Sequence, residues 1–193
     1  TQGLEWTSIE AGYNYTCATT STNDLYCWGM NSVGQLGLGS TSHAYVPLLV
    51  ASLRGQVRDF DAGTSNTCAV TTSGAVKCWG YGFFGSLGNG GTSNSSIPVD
   101  VSGLSSGVDS IAVGNRYACA TKQTGQVQCW GYGNAGSIGD GATTTRYIPV
   151  DHNSGAFPGR ITSTGYNSTC VTNGDSGILC NGWNRSGQLG LGY

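Results

Sequence analysis

Along this chain apolar residues come in bursts of a few positions closed by Gly, Ser, Thr or Asn, and no stretch has the three-and-four spacing of an amphipathic helix. Trp6-Thr7-Ser8-Ile9-Glu10-Ala11-Gly12 is a short extended segment ending in Gly, and segments of the same kind occupy 57–63, 108–114 and 160–165. Two further apolar runs follow each of them. After a Ser/Thr-rich loop, Val46-Pro47-Leu48, Ile97-Pro98-Val99 and Ile148-Pro149-Val150 each introduce one more strand, where proline suits a first residue or a sheet edge. Each unit therefore predicts four short strands and no helix.

The units are copies. Cys27-Trp28-Gly29-Met30-Asn31-Ser32-Val33-Gly34-Gln35-Leu36-Gly37-Leu38-Gly39 returns as Cys78-Trp79-Gly80, Cys129-Trp130-Gly131 and Cys180-Asn181-Gly182 with their following glycines, at a step of 51 residues. Such a period marks stacked or radial repeats, and four strands are the content of one propeller blade. The fold class read from this is all-β, a β-propeller-type repeat architecture. One domain spans 1–193, with repeats at approximately 6–56, 57–107, 108–158 and 159–193, the fourth incomplete.

The eight Cys fall at 17, 68, 119 and 170 and at 27, 78, 129 and 180, one pair per copy. A β-hairpin explains the spacing: with Cys17 opposite Cys27, Thr19 meets Leu25, Thr20 meets Asp24, and Ser21-Thr22-Asn23 is a three-residue loop. The third loop place needs a residue tolerant of positive φ, and Asn23, Gly74 and Gly125 stand there. In the fourth copy Ser176 precedes Gly177, so its turn is expected to differ. The pairing is Cys17–Cys27, Cys68–Cys78, Cys119–Cys129 and Cys170–Cys180, one hairpin disulfide per repeat. Metal binding is the rival reading, but only His43 and His152 could add imidazoles to a thiolate site. Structural disulfides at this density place the chain in an oxidising setting, secreted, extracellular, at the cell surface or in a periplasm.

The pattern Gly-x-x-x-x-Cys-Ala…Cys-Trp-Gly-x-Asn-x-x-Gly-Gln-Leu-Gly, carried most fully by Cys27 to Gly37, resembles the repeat of the regulator of chromosome condensation family over the whole chain. The resemblance implies a propeller. It leaves function open, because such propellers serve as nucleotide exchange factors, protein inhibitors and extracellular binding modules. Where the family often has His before the Cys-Ala step, this chain has Tyr15, Asn66, Tyr117 and Ser168, and Asn181 replaces the blade Trp in the fourth copy. The well-known family rings have seven blades, against three full units and part of a fourth. In a closed ring the N-terminal strand around Trp6 is expected to complete the fourth blade. The missing Pro-led strand would leave an open sheet edge, which is an invitation to a longer array or to head-to-tail self-association.

Charged residues are 9% of the total and the net charge is −2, with no basic stripe, so nucleic acid is excluded as a partner. No apolar run is long enough for membrane insertion, and Thr1-Gln2-Gly3-Leu4-Glu5-Trp6 has no signal-peptide pattern. No catalytic motif is present and neither His recurs in the other copies, so no enzyme activity, cofactor or metal is expected. The sequons at Asn14, Asn94, Asn167 and Asn184 are about as many as composition alone produces.

Positions identical in all copies read as scaffold, and Trp28, Trp79 and Trp130 as blade packing. Two loops differ from copy to copy. One supplies Phe83, Phe84, Tyr132, Trp183 and Arg185, and the other Tyr13, Tyr15, Arg116 and Tyr117. Aromatics with Arg on loops of a rigid scaffold suit recognition of a protein or glycan surface, and of two adjacent Phe in a Gly-rich loop at least one should be exposed. The function read from this is an extracellular, non-enzymatic binding or adhesion module. A carbohydrate-binding lectin and a structural subunit of a head-to-tail assembly are the alternatives. An intracellular exchange factor is disfavoured by the Cys pairs.

Overall fold

A strand covered by protein on both faces need not alternate buried with exposed positions, and the second strand of the second sheet does not. In the computed structural model, which describes residues 3–156, 162–172 and 177–192, β6 (Asn66–Thr71) is buried at every position. Four antiparallel sheets follow one another. The first runs β1 (Trp6–Ala11), β2 (Tyr15–Thr20), β3 (Leu25–Gly29), β4 (Ala44–Leu49), and the second β5 (Val57–Ala62), β6, β7 (Val76–Gly80), β8 (Ser95–Asp100). The third has β9 (Val108–Val113), β10 (Tyr117–Lys122), β11 (Gln126–Gly131) and β12 (Arg146–Ala156). The fourth has β13 (Thr162–Thr164), β14 (Ser168–Thr172) and β15 (Ile178–Gly182).

Each sheet is one propeller blade, and the apolar core lies in the seams between blades rather than within any one of them. Tyr15, Leu25 and Leu36 of the first blade cluster with Phe60, Ala69 and Trp79 of the second. Val70, Val76 and Leu87 of the second cluster with Ile111, Ala118 and Trp130 of the third. The first strands converge, so that Ala11, Ala62, Val113, Thr164 and the glycine after each line one shared depression of about 300 Å³.

The hairpins have the expected register. Cys17 lies opposite Cys27 and Thr19 opposite Leu25, and the Thr20 N–H donates to the Asp24 carbonyl at 3.0 Å. All four disulfides are formed, with Cα atoms 4.1 Å apart. Asn23, Gly74 and Gly125 take φ of 60°, 80° and 81° at the third loop place. The turn at Ser176, the start of the 160–165 segment and Tyr193 lie outside the described residues.

Two expectations change. The strand around Trp6 pairs with β2 of its own blade, Ile9 opposite Ala18 and Glu10 opposite Cys17, and does not complete the fourth blade. Local hairpin geometry decides this, since Gly12 bonds back to Tyr15 and returns the chain at once. The propeller is not closed. The outermost strands also begin before their prolines, at Ala44, Ser95 and Arg146, and an edge strand tolerates Pro within it.

Candidate functional site

In every repeat the two variable loops are tied side by side. The N–H groups of Met30, Tyr81, Tyr132 and Trp183 donate to the carbonyls of Asn14, Ser65, Arg116 and Asn167, each at 2.9 Å. What differs is how the longer loop closes. In the first repeat the Asn31 side chain donates to the carbonyls of Ser40 and Ser42 and accepts from the Leu36 N–H. In the second, Gly82 stands there and a Cβ would collide with the Ser93 carbonyl, so the returning chain takes the space. His43 Nδ1 accepts from the Asn31 N–H at 2.9 Å, and Asn94 Oδ1 does the same for Gly82 at 3.0 Å. His43 is therefore a loop brace.

At the second–third seam these loops build an aromatic cluster. Phe83 lies edge-on to Phe84 at 4.7 Å between centroids, Phe84 meets Tyr132 at 4.5 Å, and Tyr81 approaches Phe83 at 6.3 Å. The Arg116 guanidinium lies 5.5 Å from the Phe84 ring and 5.9 Å from Tyr81, in cation–π contact. Phe83 is 53% exposed while Phe84 is half-buried, in line with the expectation for adjacent Phe. The left-handed φ of 63° at Phe84 recurs as 65° at Ala135, so it belongs to this loop form. The φ of 68° at Arg116 has no counterpart at Asn14, Ser65 or Asn167.

The other sequence-predicted residues lie elsewhere. Arg185 lies 5.2 Å over the Trp183 ring, and both line a separate groove of about 420 Å³ with Asn134 and Asn167. Tyr13 and Tyr166 stand exposed at the rim of the axial depression. Tyr15 and Tyr117 are interior. Their hydroxyls donate across the seams to the carbonyls of Asn66 at 2.8 Å and Ser168 at 2.6 Å, and burial pushes both phenols up. Tyr81 was absent from the sequence-predicted set, although its place in a copy-specific loop was a signal. A groove of about 450 Å³ on the first blade, lined by Trp6, Ile9, Trp28 and Pro47, was not anticipated.

The electrostatics concentrate near the axis. Asp59 and Asp61 accept from the N–H groups of Ile111 at 2.9 Å and Val113 at 2.6 Å, joining β5 to β9. Burial raises Asp61 to about 6 against those hydrogen bonds, with Glu10 and Asp59 adding to the rise. Asp59 and Glu10 are raised too, burial again being the larger cause. Among the described residues no three His, Cys, Asp or Glu converge as a metal site requires, and no helix is long and apolar enough to cross a membrane.

The regulator of chromosome condensation (RCC1) repeat model matches residues 23–70 and 73–121, and a second model of that repeat matches 6–35 and 57–86. The chain is 29% identical over 194 aligned positions to the Arabidopsis thaliana ultraviolet-B receptor UVR8, covering 98% of this chain and 44% of the receptor. It is 36% identical over 137 residues to the Homo sapiens E3 ubiquitin-protein ligase HERC2, covering 69% of this chain and 3% of the ligase. Among solved structures, yeast RCC1 (Prp20) bound to Kap60 superposes with a TM-score of 0.82 at 16% identity, over 99% of this chain and 46% of that one. The chain thus spans less than half the length of these relatives.

Proposed function

Because the chain belongs to the regulator of chromosome condensation repeat family, whose relatives here are named as a receptor and as a ubiquitin ligase, no single activity follows from membership, and we propose that this one is a non-enzymatic protein-binding module of an oxidising, extracellular setting. The observation that carries the reading is the Phe83–Phe84–Tyr132 cluster, with Phe83 exposed at its face and Arg116 laid over Phe84. It combines large, stiff apolar area with a cation on a scaffold held by strand pairing and disulfides, the make-up of a binding hot spot. The places of Phe83 and Phe84 hold a different residue in each of the four copies, and no other copy has Arg at the place of Arg116, which supports one specific protein surface over a sugar repeated in every blade. Four formed disulfides support the compartment.

The test is affinity capture from the native extracellular fraction with the oxidised protein, followed by a biosensor titration of the recovered partner. Phe83→Ser with Phe84→Ser removes two anchors at about 1–2 kcal/mol each and should weaken binding about 30-fold or more. Trp183→Ser should change it little. Unchanged affinity in the double variant, with the disulfide map intact, moves the site away from this cluster.

A further inference from the structure

Three seams join the four blades, and the same four positions close each of them. At the first seam the Tyr15 ring lies over Gly12 and its hydroxyl reaches the Asn66 carbonyl. The Thr67 hydroxyl stands 2.9 Å from both the Tyr15 hydroxyl and the Gln35 carbonyl oxygen, which also accepts from Trp79 Nε1 at 2.9 Å. At the third seam Tyr117 and Thr169 repeat this, with hydroxyls 3.2 Å apart and Thr169 donating to the Ser137 carbonyl at 2.8 Å. The second seam departs at both places. Asn66 stands where the others have Tyr, and Ala118 where the others have Thr.

The two changes belong together. A Thr hydroxyl opposite an amide too short to reach it would be buried with one partner fewer, and Ala removes it. Beside Asn66, where the shorter side chain stands, lies a cavity of about 130 Å³, lined by Thr64, Ser65, Asn66, Tyr81, Asn115 and Arg116. Asn66 is 1% exposed and its Nδ2 has no hydrogen-bond partner. A buried amide donor left unpaired is destabilising, so the cavity calls for an acceptor. Arg116 on the same wall supplies a fixed positive charge and takes part in no ion pair among the described residues.

We propose that this cavity is a carboxylate subsite that takes the Asp or Glu side chain of the protein partner, a reading that rests on the protein-binding function assigned to the adjoining aromatic cluster. The planar amide of Asn66 and the planar guanidinium of Arg116 suit the two oxygens of a carboxylate. One cation matches one negative charge, whereas a phosphate ester brings nearly two. The volume admits a short acidic side chain and excludes a bulky one. Tyr81 then forms the apolar wall on which the stem of that residue lies.

The experiment is an NMR titration of the oxidised chain, following the side-chain amide of Asn66 and the Nε–H of Arg116. The probes are N-acetyl-aspartate N-methylamide and its glutamate homologue, with N-acetyl-asparagine N-methylamide and inorganic phosphate as comparisons. A saturable shift at both side chains is expected for the two carboxylates, at least five-fold tighter than for either comparison. Arg116→Gln, which keeps the cavity, should weaken it at least five-fold. Asn66→Tyr with Ala118→Thr rebuilds the seam as in the other two, and should abolish the shift at Arg116 while raising the urea midpoint. If that pair fails to fold, Arg116→Gln still decides. No saturable shift, equal affinity for the asparagine probe, preference for phosphate, or a response surviving in Arg116→Gln would each overturn the subsite. The probes need no partner, so a null titration beside lost capture by the Phe variants sinks the subsite alone. A clear titration beside unchanged capture sinks the functional reading instead.

Discussion

Trp130→Asn combined with Val101→His transplants one seam's solution into another. Trp130 is fully buried, its Nε1–H donates to the Ser86 carbonyl at 3.2 Å, and its ring fills the space beside Gly88, where an added Cβ would sit 2.7 Å from Nε1. Val101 closes the same space. One repeat later Asn181 takes the place of the Trp and His152 that of the Val. Asn181 Nδ2 donates to the Gly136 carbonyl at 2.7 Å, and His152 Nε2 donates to Asn181 Oδ1 at 2.7 Å. The Ser154 N–H donates to His152 Nδ1 at 3.1 Å, so the proton of the neutral ring is on Nε2. Trp130→Asn alone leaves a ring-sized void and should cost about 3–5 kcal/mol, as buried aromatic truncations do. Val101→His alone crowds the Trp and buries an unpaired ring nitrogen, about 1–3 kcal/mol. Together the His fills the void and meets the Asn, so the double variant should be less destabilised than the sum by about 1–3 kcal/mol. Equilibrium urea unfolding of the four proteins of the cycle, with disulfides intact, reads this from the midpoints at constant m. Strictly additive costs would refute the claim that His152 and Asn181 are a matched replacement for the Val–Trp pair.

Two further outcomes follow from the charges and the bridges. Glu10, Asp59 and Asp61 all bind their protons more tightly folded than unfolded, so their contribution to stability is full below the ordinary carboxylate range. It is lost as pH rises through about 6 for Asp61, a change on the order of 1–2 kcal/mol once solvent screening is allowed for. Urea midpoints should therefore be higher near pH 5 than at pH 7.5, with added salt narrowing the gap, and a flat profile would refute it. The six Cys of the first three repeats are fully buried, whereas Cys170 and Cys180 are partly exposed. Mild reductant should open Cys170–Cys180 first, read by alkylation and peptide mapping, and simultaneous reduction of all four bridges would contradict this ordering.

Much of this molecule was legible because its determinants are local and repeated. Hairpin register follows from the distance between Cys17 and Cys27 and from the positive φ that Asn23, Gly74 and Gly125 accept, and none of that needs the rest of the chain. The copy-to-copy variation of the Phe83 loop marked where surface chemistry differs. Only the tertiary structure could tell which of the variable aromatics face solvent, because Tyr13 and Tyr15 are two positions apart, yet one is 76% exposed and the other 3%. Tyr13 stands at the axial rim, whereas Tyr15 is captured by groups 51 and 52 residues away, the Asn66 carbonyl and the Thr67 hydroxyl. The partner strand of Trp6, by contrast, is settled locally, because the return at Gly12 lays it on β2 of its own blade. The coupling of Asn66 to Ala118 and of Asn181 to His152 is written in the sequence as substitutions at separate places. They are read together only when one blade is laid on the next, as the His152–Asn181 hydrogen bond shows, because burial across a seam is what forces a lost ring to be answered by its neighbour.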